Sequence, residues 1–119
     1  MPLEVAARQV EGITVVDVSG NLWPRTDKGG HVLSEFVQEL VAKGNHKILL
    51  NLKEVRGHDN SGVGELVACL KAMRAQHGQL KLANVSQTLK ARLALARLTK
   101  IFETYEDEAS AIKSFGNPG

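Results

Sequence analysis

The sequence predicts an α/β domain, a mixed four- or five-stranded sheet flanked by about four helices, and three observations lead to this prediction. A hairpin pattern at the start is followed by alternating helix and strand patterns, the order typical of parallel strands joined by right-handed helical crossovers. The apolar run Ile48-Leu49-Leu50 is expected where both faces of a strand are covered. At 119 residues with 43% hydrophobic content, the chain has room for one domain, which we place at residues 1–115, with residues 116–119 as a C-terminal tail.

The first predicted elements are a hairpin and a loop. The alternation from Leu3 predicts a half-exposed strand, and Glu11-Gly12 turns the chain into a second strand of mainly β-branched residues over 13–18. Residues 21–30 contain a proline and a glycine pair and show no period. We therefore expect a loop there, in which Trp23 closes one end of the core.

The middle of the chain predicts a helix, a central strand and a second helix. Apolar residues recur at helical spacing over 31–43, and Gly44-Asn45 ends that helix. The central strand is predicted over 47–52, followed by a polar loop over 53–60 and an amphipathic helix over 61–76.

The last third of the chain predicts two further strand and helix pairs. A strand over 79–83 is followed by a helix for which Ser86 fits the N-cap position. A short strand over 101–105 and a terminal helix over 107–115 complete the domain.

Composition excludes several classes of partner and location. Fifteen basic and thirteen acidic residues leave a net charge of +2, too small for the electrostatic footprint of a nucleic-acid binder. No apolar run approaches the roughly 20 residues that span a bilayer, and the N-terminus lacks the apolar stretch of a signal peptide, so we expect neither membrane insertion nor export. The single cysteine, Cys69, cannot form an internal disulfide and is expected to be a buried thiol, which fits a cytoplasmic protein.

The residues offer no catalytic, metal or cofactor motif. His58, Asp59 and Ser61 are too close in sequence to align as base, orienting carboxylate and nucleophile of a hydrolase. A phosphate-binding loop is missing its lysine. The four histidines lie at least twelve residues apart without a short-spaced ligand pair, and we expect surface positions rather than a zinc site for His31, His46, His58 and His77.

A basic cluster late in the chain is followed by an acidic one. We expect both to be solvated faces, with an interaction surface as the alternative. The basic residues are Lys90, Arg92, Arg97 and Lys100, and the acidic residues are Glu103, Glu106, Asp107 and Glu108.

The segment between the central strand and the second helix is the candidate site. Sites in open α/β sheets gather at the carboxyl ends of strands, beside the N-termini of the following helices. Asp59 or Asn60 can cap the helix, and Gly62 and Gly64 leave its first turn without side chains, so that the backbone of a partner can approach. A plain capped helix with glycines that pack against the sheet accounts for the same residues, and spacing alone does not separate the two.

Longer stretches resemble a known family. The strand Ile48-Leu49-Leu50-Asn51-Leu52, followed by Asp59-Asn60-Ser61-Gly62-Val63-Gly64, resembles the STAS domains, named for sulfate transporters and anti-sigma factor antagonists. Their usual signature is a hydrophobic strand ending in Asn or Asp before Leu, then Asp-Ser-Ser-Gly-Leu-Gly opening a helix. Upstream, Gly20-Asn21-Leu22 looks like the Gly-x-Leu segment of the family. The resemblance covers nearly the whole chain and implies a STAS-like (SpoIIAA-like) fold.

The resemblance also implies a function. Stand-alone STAS proteins of this size are similar to bacterial anti-sigma factor antagonists, which regulate transcription by partner switching. The unmodified antagonist binds an anti-sigma factor that is a serine kinase, and phosphorylation by that kinase then breaks the complex. The implied partner is such a kinase, with a phosphatase as a further candidate, and the implied role is not enzymatic. The implied binding surface is formed by Asp59, Asn60, Ser61, Gly62 and Gly64.

One position departs from the family pattern. The phosphoacceptor is the residue after the aspartate, normally Ser or Thr, and here it is Asn60, which has no hydroxyl. Three alternatives follow: Ser61 substitutes as the acceptor, the protein is not switched off by phosphate, or it serves another STAS role. The alternative function is an accessory subunit of a lipid-type membrane transport complex. Binding of a nucleotide or small ligand is allowed by the family but supported by no motif.

Overall fold

The computed structural model describes residues 3–22 and 32–115, so the expectations for Trp23, for His31, for residues 23–30 of the loop predicted over 21–30 and for the tail lie outside the described residues. The order of elements is a hairpin followed by alternating helices and strands. Their bounds are β1 Glu4–Val10, β2 Ile13–Leu22, α1 Val32–Ala42, β3 Lys47–His58, α2 Asn60–Ala75, β4 Gln79–Ala83, α3 Gln87–Leu95, β5 Glu103–Tyr105 and α4 Glu108–Phe115.

The five strands form one mixed sheet in the order β1-β2-β3-β4-β5. β1 is antiparallel to β2, while the β2–β3, β3–β4 and β4–β5 pairs are parallel. The hairpin turn places Glu11 at φ 51° and Gly12 at φ 82°, the left-handed pair that matches the twist of adjacent strands. The predicted mixed sheet with four helices is thus confirmed, with five strands.

The central strands are longer than the sequence pattern predicted. β2 continues past residue 18 to Leu22, and β3 continues through the predicted polar loop to His58. The two extensions pair with each other, Leu22 opposite His58, across irregularities in the register that include Gly20 at φ 87°. Residues 53–57 lack a buried stripe because they lie at the exposed end of the sheet, so strand pairing rather than apolar alternation holds them extended.

Helices cover both faces of the sheet. On one face, α1, α2 and α3 pack over the buried strand residues, with Leu50 and Leu82 among those in the main core. On the other face, Leu49 and Ala83 pack with α4 in a smaller core. This two-sided burial is what the continuous apolar run predicted for the central strand. No helix within the described ranges is long and apolar enough to cross a membrane.

A buried lysine fastens α4 to its face of the sheet. Lys81 of β4 is 6% exposed, and its Nζ lies 4.6 Å from the centre of the Phe115 ring. The same ammonium donates to Ser114 Oγ at 2.9 Å and pairs with a Glu103 carboxylate oxygen at 3.1 Å. The aromatic ring and the carboxylate compensate for the loss of hydration of the ammonium.

A buried carboxylate joins α2 to the start of α1. Glu65 lies in α2 with 3% of its surface exposed, and its Oε2 accepts a hydrogen bond of 2.9 Å from the backbone N–H of Ser34. The first N–H groups of a helix have no partner within the helix, so a carboxylate from a neighbouring helix satisfies one of them. This hydrogen bond therefore ties α2 to the first turn of α1.

Replacing this carboxylate should destabilise the fold. We expect Glu65→Ala to lower the free energy of unfolding by about 2–3 kcal/mol, because the buried N–H of Ser34 loses its acceptor. Glu65→Gln keeps a carbonyl oxygen and should cost about 1 kcal/mol. Urea denaturation followed by circular dichroism measures both. Glu54→Ala is the control, since the Glu54 side chain is exposed and pairs with the exposed Arg56. An effect of Glu65→Ala no larger than that control would contradict the assignment.

Candidate functional site

Asp59 caps α2 where β3 ends. Its backbone is extended, at φ −140° and ψ −173°, and its Oδ1 accepts a 2.9 Å hydrogen bond from the N–H of Gly62. Of the two residues that the sequence left open as caps, Asp59 is therefore the N-cap, and Asn60 is the first residue of the helix. The cap satisfies one of the unpaired N–H groups of the first turn.

Ser61 reinforces this cap. Its hydroxyl donates to Oδ1 of Asp59 at 2.5 Å, so the same carboxylate oxygen holds both the serine and Gly62. The hydrogen bond from the Ser61 hydroxyl, followed by those from the backbone N–H groups, lowers the pKa of the Asp59 carboxyl below its ordinary value. The carboxylate is charged at neutral pH, and the hydroxyl proton of Ser61 is engaged with it.

The two glycines of the first turn have different environments. Gly62 is buried, and a Cβ added there would lie 2.3 Å from the carbonyl oxygen of Leu22. Only glycine allows α2 to approach the end of β2 this closely. Gly64 is exposed, and a Cβ there would meet nothing within 4 Å. Gly62 is explained by packing against the sheet, whereas Gly64 leaves an open surface.

Arg92 belongs to the site although the sequence placed it on a solvated face. From α3, its Nη1 donates to Oδ1 of Asn60 at 2.9 Å, and its Nε donates to Nδ1 of His58 at 2.9 Å. The expectation of a solvated face was wrong for Arg92, which is half-buried and bonded to residues at the end of β3 and the start of α2. Arg97 and Lys100 are exposed, as expected. The basic cluster was visible in the sequence, but nothing in it marked which member turns inward.

His58 connects the starts of α2 and α3. Because its Nδ1 accepts from Arg92, its ring proton lies on Nε2, which donates to the hydroxyl of Thr88 at 3.1 Å. Thr88 lies 3.1 Å from the hydroxyl of Ser86, and Ser86 caps α3 through the N–H of Leu89. Burial first, and then the charge of Arg92, lower the pKa of His58 below its ordinary value. The neutral imidazole is the form that this network requires.

The cysteine and the other described histidines lie outside the network around Arg92 and His58. The described part of the chain holds no group of three His, Cys, Asp or Glu side chains placed to bind a metal ion. Cys69 is fully buried in α2, as predicted, and burial raises the pKa of its thiol. His46 before β3 and His77 after α2 are exposed, as expected, whereas His58 is half-buried.

Comparison with known proteins finds similarity over nearly the whole chain. The family model described as STAS domain matches residues 4–111. A protein of Paenibacillus polymyxa named anti-sigma F factor antagonist is 24% identical over 112 residues, 94% of each chain. The crystal structure of an anti-sigma factor antagonist from Mycobacterium paratuberculosis superposes with a TM-score of 0.82 at 19% identity, covering 98% of this chain and 96% of that one. The unphosphorylated form of the anti-sigma factor antagonist SpoIIAA gives a TM-score of 0.70 at 15% identity, covering 98% and 100%.

The two glycines should respond in opposite ways to the same substitution. We expect Gly62→Ala to lower the free energy of unfolding by about 2 kcal/mol, because the new methyl group collides with the backbone of β2. Gly64→Ala should raise it by about 0.5–1 kcal/mol, because alanine is the better helix former where space is open. Thermal unfolding of the two variants measures the difference. Equal effects would mean that α2 does not pack on Leu22 as described.

The imidazole network predicts a stability that depends on pH. His58 has a lower pKa in the folded state than the roughly 6.5 of an unfolded chain, so the unfolded state binds the proton more strongly. The contribution of His58 is therefore complete above about pH 6.5 and is lost as the pH falls toward the lower folded-state pKa. Urea denaturation between pH 7 and 5 should show a steeper loss for wild type than for His58→Asn, which keeps an acceptor but does not titrate. Equal pH dependence of the free energy of unfolding in wild type and His58→Asn would contradict the role given to the neutral imidazole.

Proposed function

The chain belongs to the STAS domain family, and from this membership we propose that it is an anti-sigma factor antagonist that binds its anti-sigma factor with the start of α2. The observation that carries the proposal is that the similarity to antagonists extends over 94% of both chains in the Paenibacillus protein. The fold predicted from the resemblance is confirmed by the superposition on SpoIIAA, a stand-alone antagonist of the same architecture. The proposed partner is an anti-sigma factor of the serine kinase type.

The exposed residues of the first turn of α2 form the proposed contact surface. Asn60, Ser61 and Gly64 are exposed, while Asp59 and the buried Gly62 fix the geometry of the turn from below. Gly64 presents backbone without a side chain, so the main chain of a partner can lie directly on the helix. The residues named from the sequence therefore divide into those that touch a partner and those that shape the surface.

We further propose that this antagonist is not switched off by phosphate. Position 60, the usual acceptor, carries an amide whose oxygen is held by Arg92. The hydroxyl of Ser61 is bound to the Asp59 carboxylate at 2.5 Å. A phosphoryl group there would bring about −1.5 to −2 charges against that carboxylate and remove the hydrogen bond. The Asn60–Arg92 and Ser61–Asp59 hydrogen bonds both favour an antagonist that stays unphosphorylated and able to bind its partner. A phosphatase would then have no substrate at this site.

Binding and phosphorylation can be measured on the same proteins. Binding of the chain to the kinase-type anti-sigma factors of the same organism is measured by biolayer interferometry. The chain is then incubated with ATP and each kinase that binds it, and phosphorylated positions are mapped by mass spectrometry. We expect wild type to bind one kinase and gain no phosphate, and Asn60→Ser to gain phosphate at position 60. Phosphate on Ser61 of wild type, absent in Ser61→Ala, would contradict the constitutive state.

A matched pair at Gly64 tests the contact surface. Gly64→Arg has room in the fold, because nothing lies within 4 Å of a Cβ there. It should weaken kinase binding by at least about tenfold, since the long side chain obstructs the partner. Gly64→Ala should bind within about threefold of wild type, because a methyl group adds little bulk. If no anti-sigma factor binds wild type, the proposed function is wrong.

A further inference from the structure

We propose that the groove between α2 and α3 receives an acidic segment of the partner that carries an apolar side chain. This inference rests on the proposed function, because the groove adjoins the surface at the start of α2. The groove has a volume of about 460 Å³. It is lined by Asn60, Val63, Thr88, Ala91, Arg92, Leu95 and Ala96.

Leu95 gives the groove an apolar anchor point. It is 87% exposed, and within the described ranges no other large hydrophobic side chain is exposed to this degree. The neighbouring lining residues Val63, Ala91 and Ala96 are small or branched apolar residues. An apolar side chain of a partner would cover Leu95 and remove this area from water.

The groove lining contains one charged residue, Arg92, and its charge is positive. Residues 60–102 contain seven Lys and Arg but only one acidic residue, Glu65. Glu65 is 3% exposed and turned toward α1, and Lys81 is buried on the opposite face of the sheet. The charges that this stretch presents to solvent are therefore all positive, although the whole chain carries only +2. Lys71, Arg74, Arg97 and Lys100 are exposed, whereas Arg92 is half-buried and Lys90 is half-buried and pairs with Glu106 at 3.6 Å.

Of these charges, Arg92 lies in the groove lining, beside the charged Asp59 that caps α2. Lys71 and Arg74 extend, at helical spacing, the stripe that Asn60 and Val63 begin on α2. Arg92 forms part of the groove wall, and its contacts with Asn60 and His58 engage two of its five N–H donors. A carboxylate is the group that pairs best with a guanidinium of this kind. The expected occupant therefore carries Asp or Glu beside its apolar residue.

A protein segment fits this surface better than nucleic acid. The only aromatic residue between 60 and 102 is Phe102, and it is 4% exposed in the core. Within residues 60–102, a base therefore finds no exposed Phe, Tyr or Trp ring on which to stack. Asn60 belongs both to the groove lining and to the first turn of α2, so one partner can cover the two surfaces together.

The probes are two synthetic peptides that carry leucines at the same positions. The residues beside these leucines are Glu in one peptide and Lys in the other. Each is titrated into the ¹⁵N-labelled full-length chain, and amide shifts are followed by NMR. We expect the acidic peptide to shift amides of the groove residues. Leu95→Ser should weaken this binding by at least about tenfold, and Leu95→Met should retain it. Ala94→Ser, an exposed position on the same helix outside the groove lining, is the matched control.

Several results would overturn the proposal. These are equal binding of the two peptides, no binding of either, or shifts centred away from the groove. Leu95-dependent binding to phosphatidylcholine vesicles containing phosphatidylserine would assign the groove to a membrane instead, and Leu95-dependent self-association would assign it to a second copy of the chain. Each would contradict the proposed occupant.

Kinase binding separates this proposal from the proposed function. If the anti-sigma factor binds wild type and Leu95→Ser equally while Gly64→Arg blocks it, the function stands and the groove proposal falls. If no anti-sigma factor binds but the acidic peptide occupies the groove, the proposed function falls and the groove proposal stands.

Discussion

The close approach of Gly62 to the backbone of Leu22 is the constraint on which the rest of the site depends. It fixes the start of α2 against the end of β2, where a side chain on residue 62 would collide with a carbonyl oxygen. The same strand end pairs with His58, so β3 must stay extended up to the residue before the cap. The positions of Asp59, Asn60 and Ser61 follow from this one contact, because they lie between the end of β3 and the anchored turn.

From this anchored turn, hydrogen bonds spread to a second helix. Arg92 joins Asn60 to His58, and Thr88 continues the chain of contacts to the cap of α3. The surface proposed to meet a partner therefore has little freedom, since its polar side chains are already oriented by neighbours. Such preorganisation reduces the conformational entropy that a partner must remove on binding. A neutral His58 is part of the arrangement, because a protonated ring could not accept from a guanidinium.

Charge is distributed unevenly on a nearly neutral chain. The net charge of the whole chain is +2, yet in the 43 residues from 60 to 102 the solvent-facing charged side chains are all basic. Acidic side chains lie elsewhere, and several are already paired, as Asp17 and Glu108 are with Arg8. Overall composition excluded a large electrostatic footprint but could not reveal a local one. The proposed recognition therefore depends on local charge such as that of Arg92 in the groove, and not on the total charge of the chain.

The sequence by itself determined the order and type of every described element, the cap at Ser86, the burial of Cys69 and the absence of a hydroxyl at Asn60. These features are local, because periodicity, capping residues and side-chain chemistry are written in neighbouring positions. Only the tertiary structure decided that residues 53–58 remain in β3, that Gly62 is enclosed while Gly64 is open, and that Arg92 reaches Asn60 from 32 residues away. Pairing between strands and contacts between helices bring together residues that are distant in sequence, so no local pattern records them.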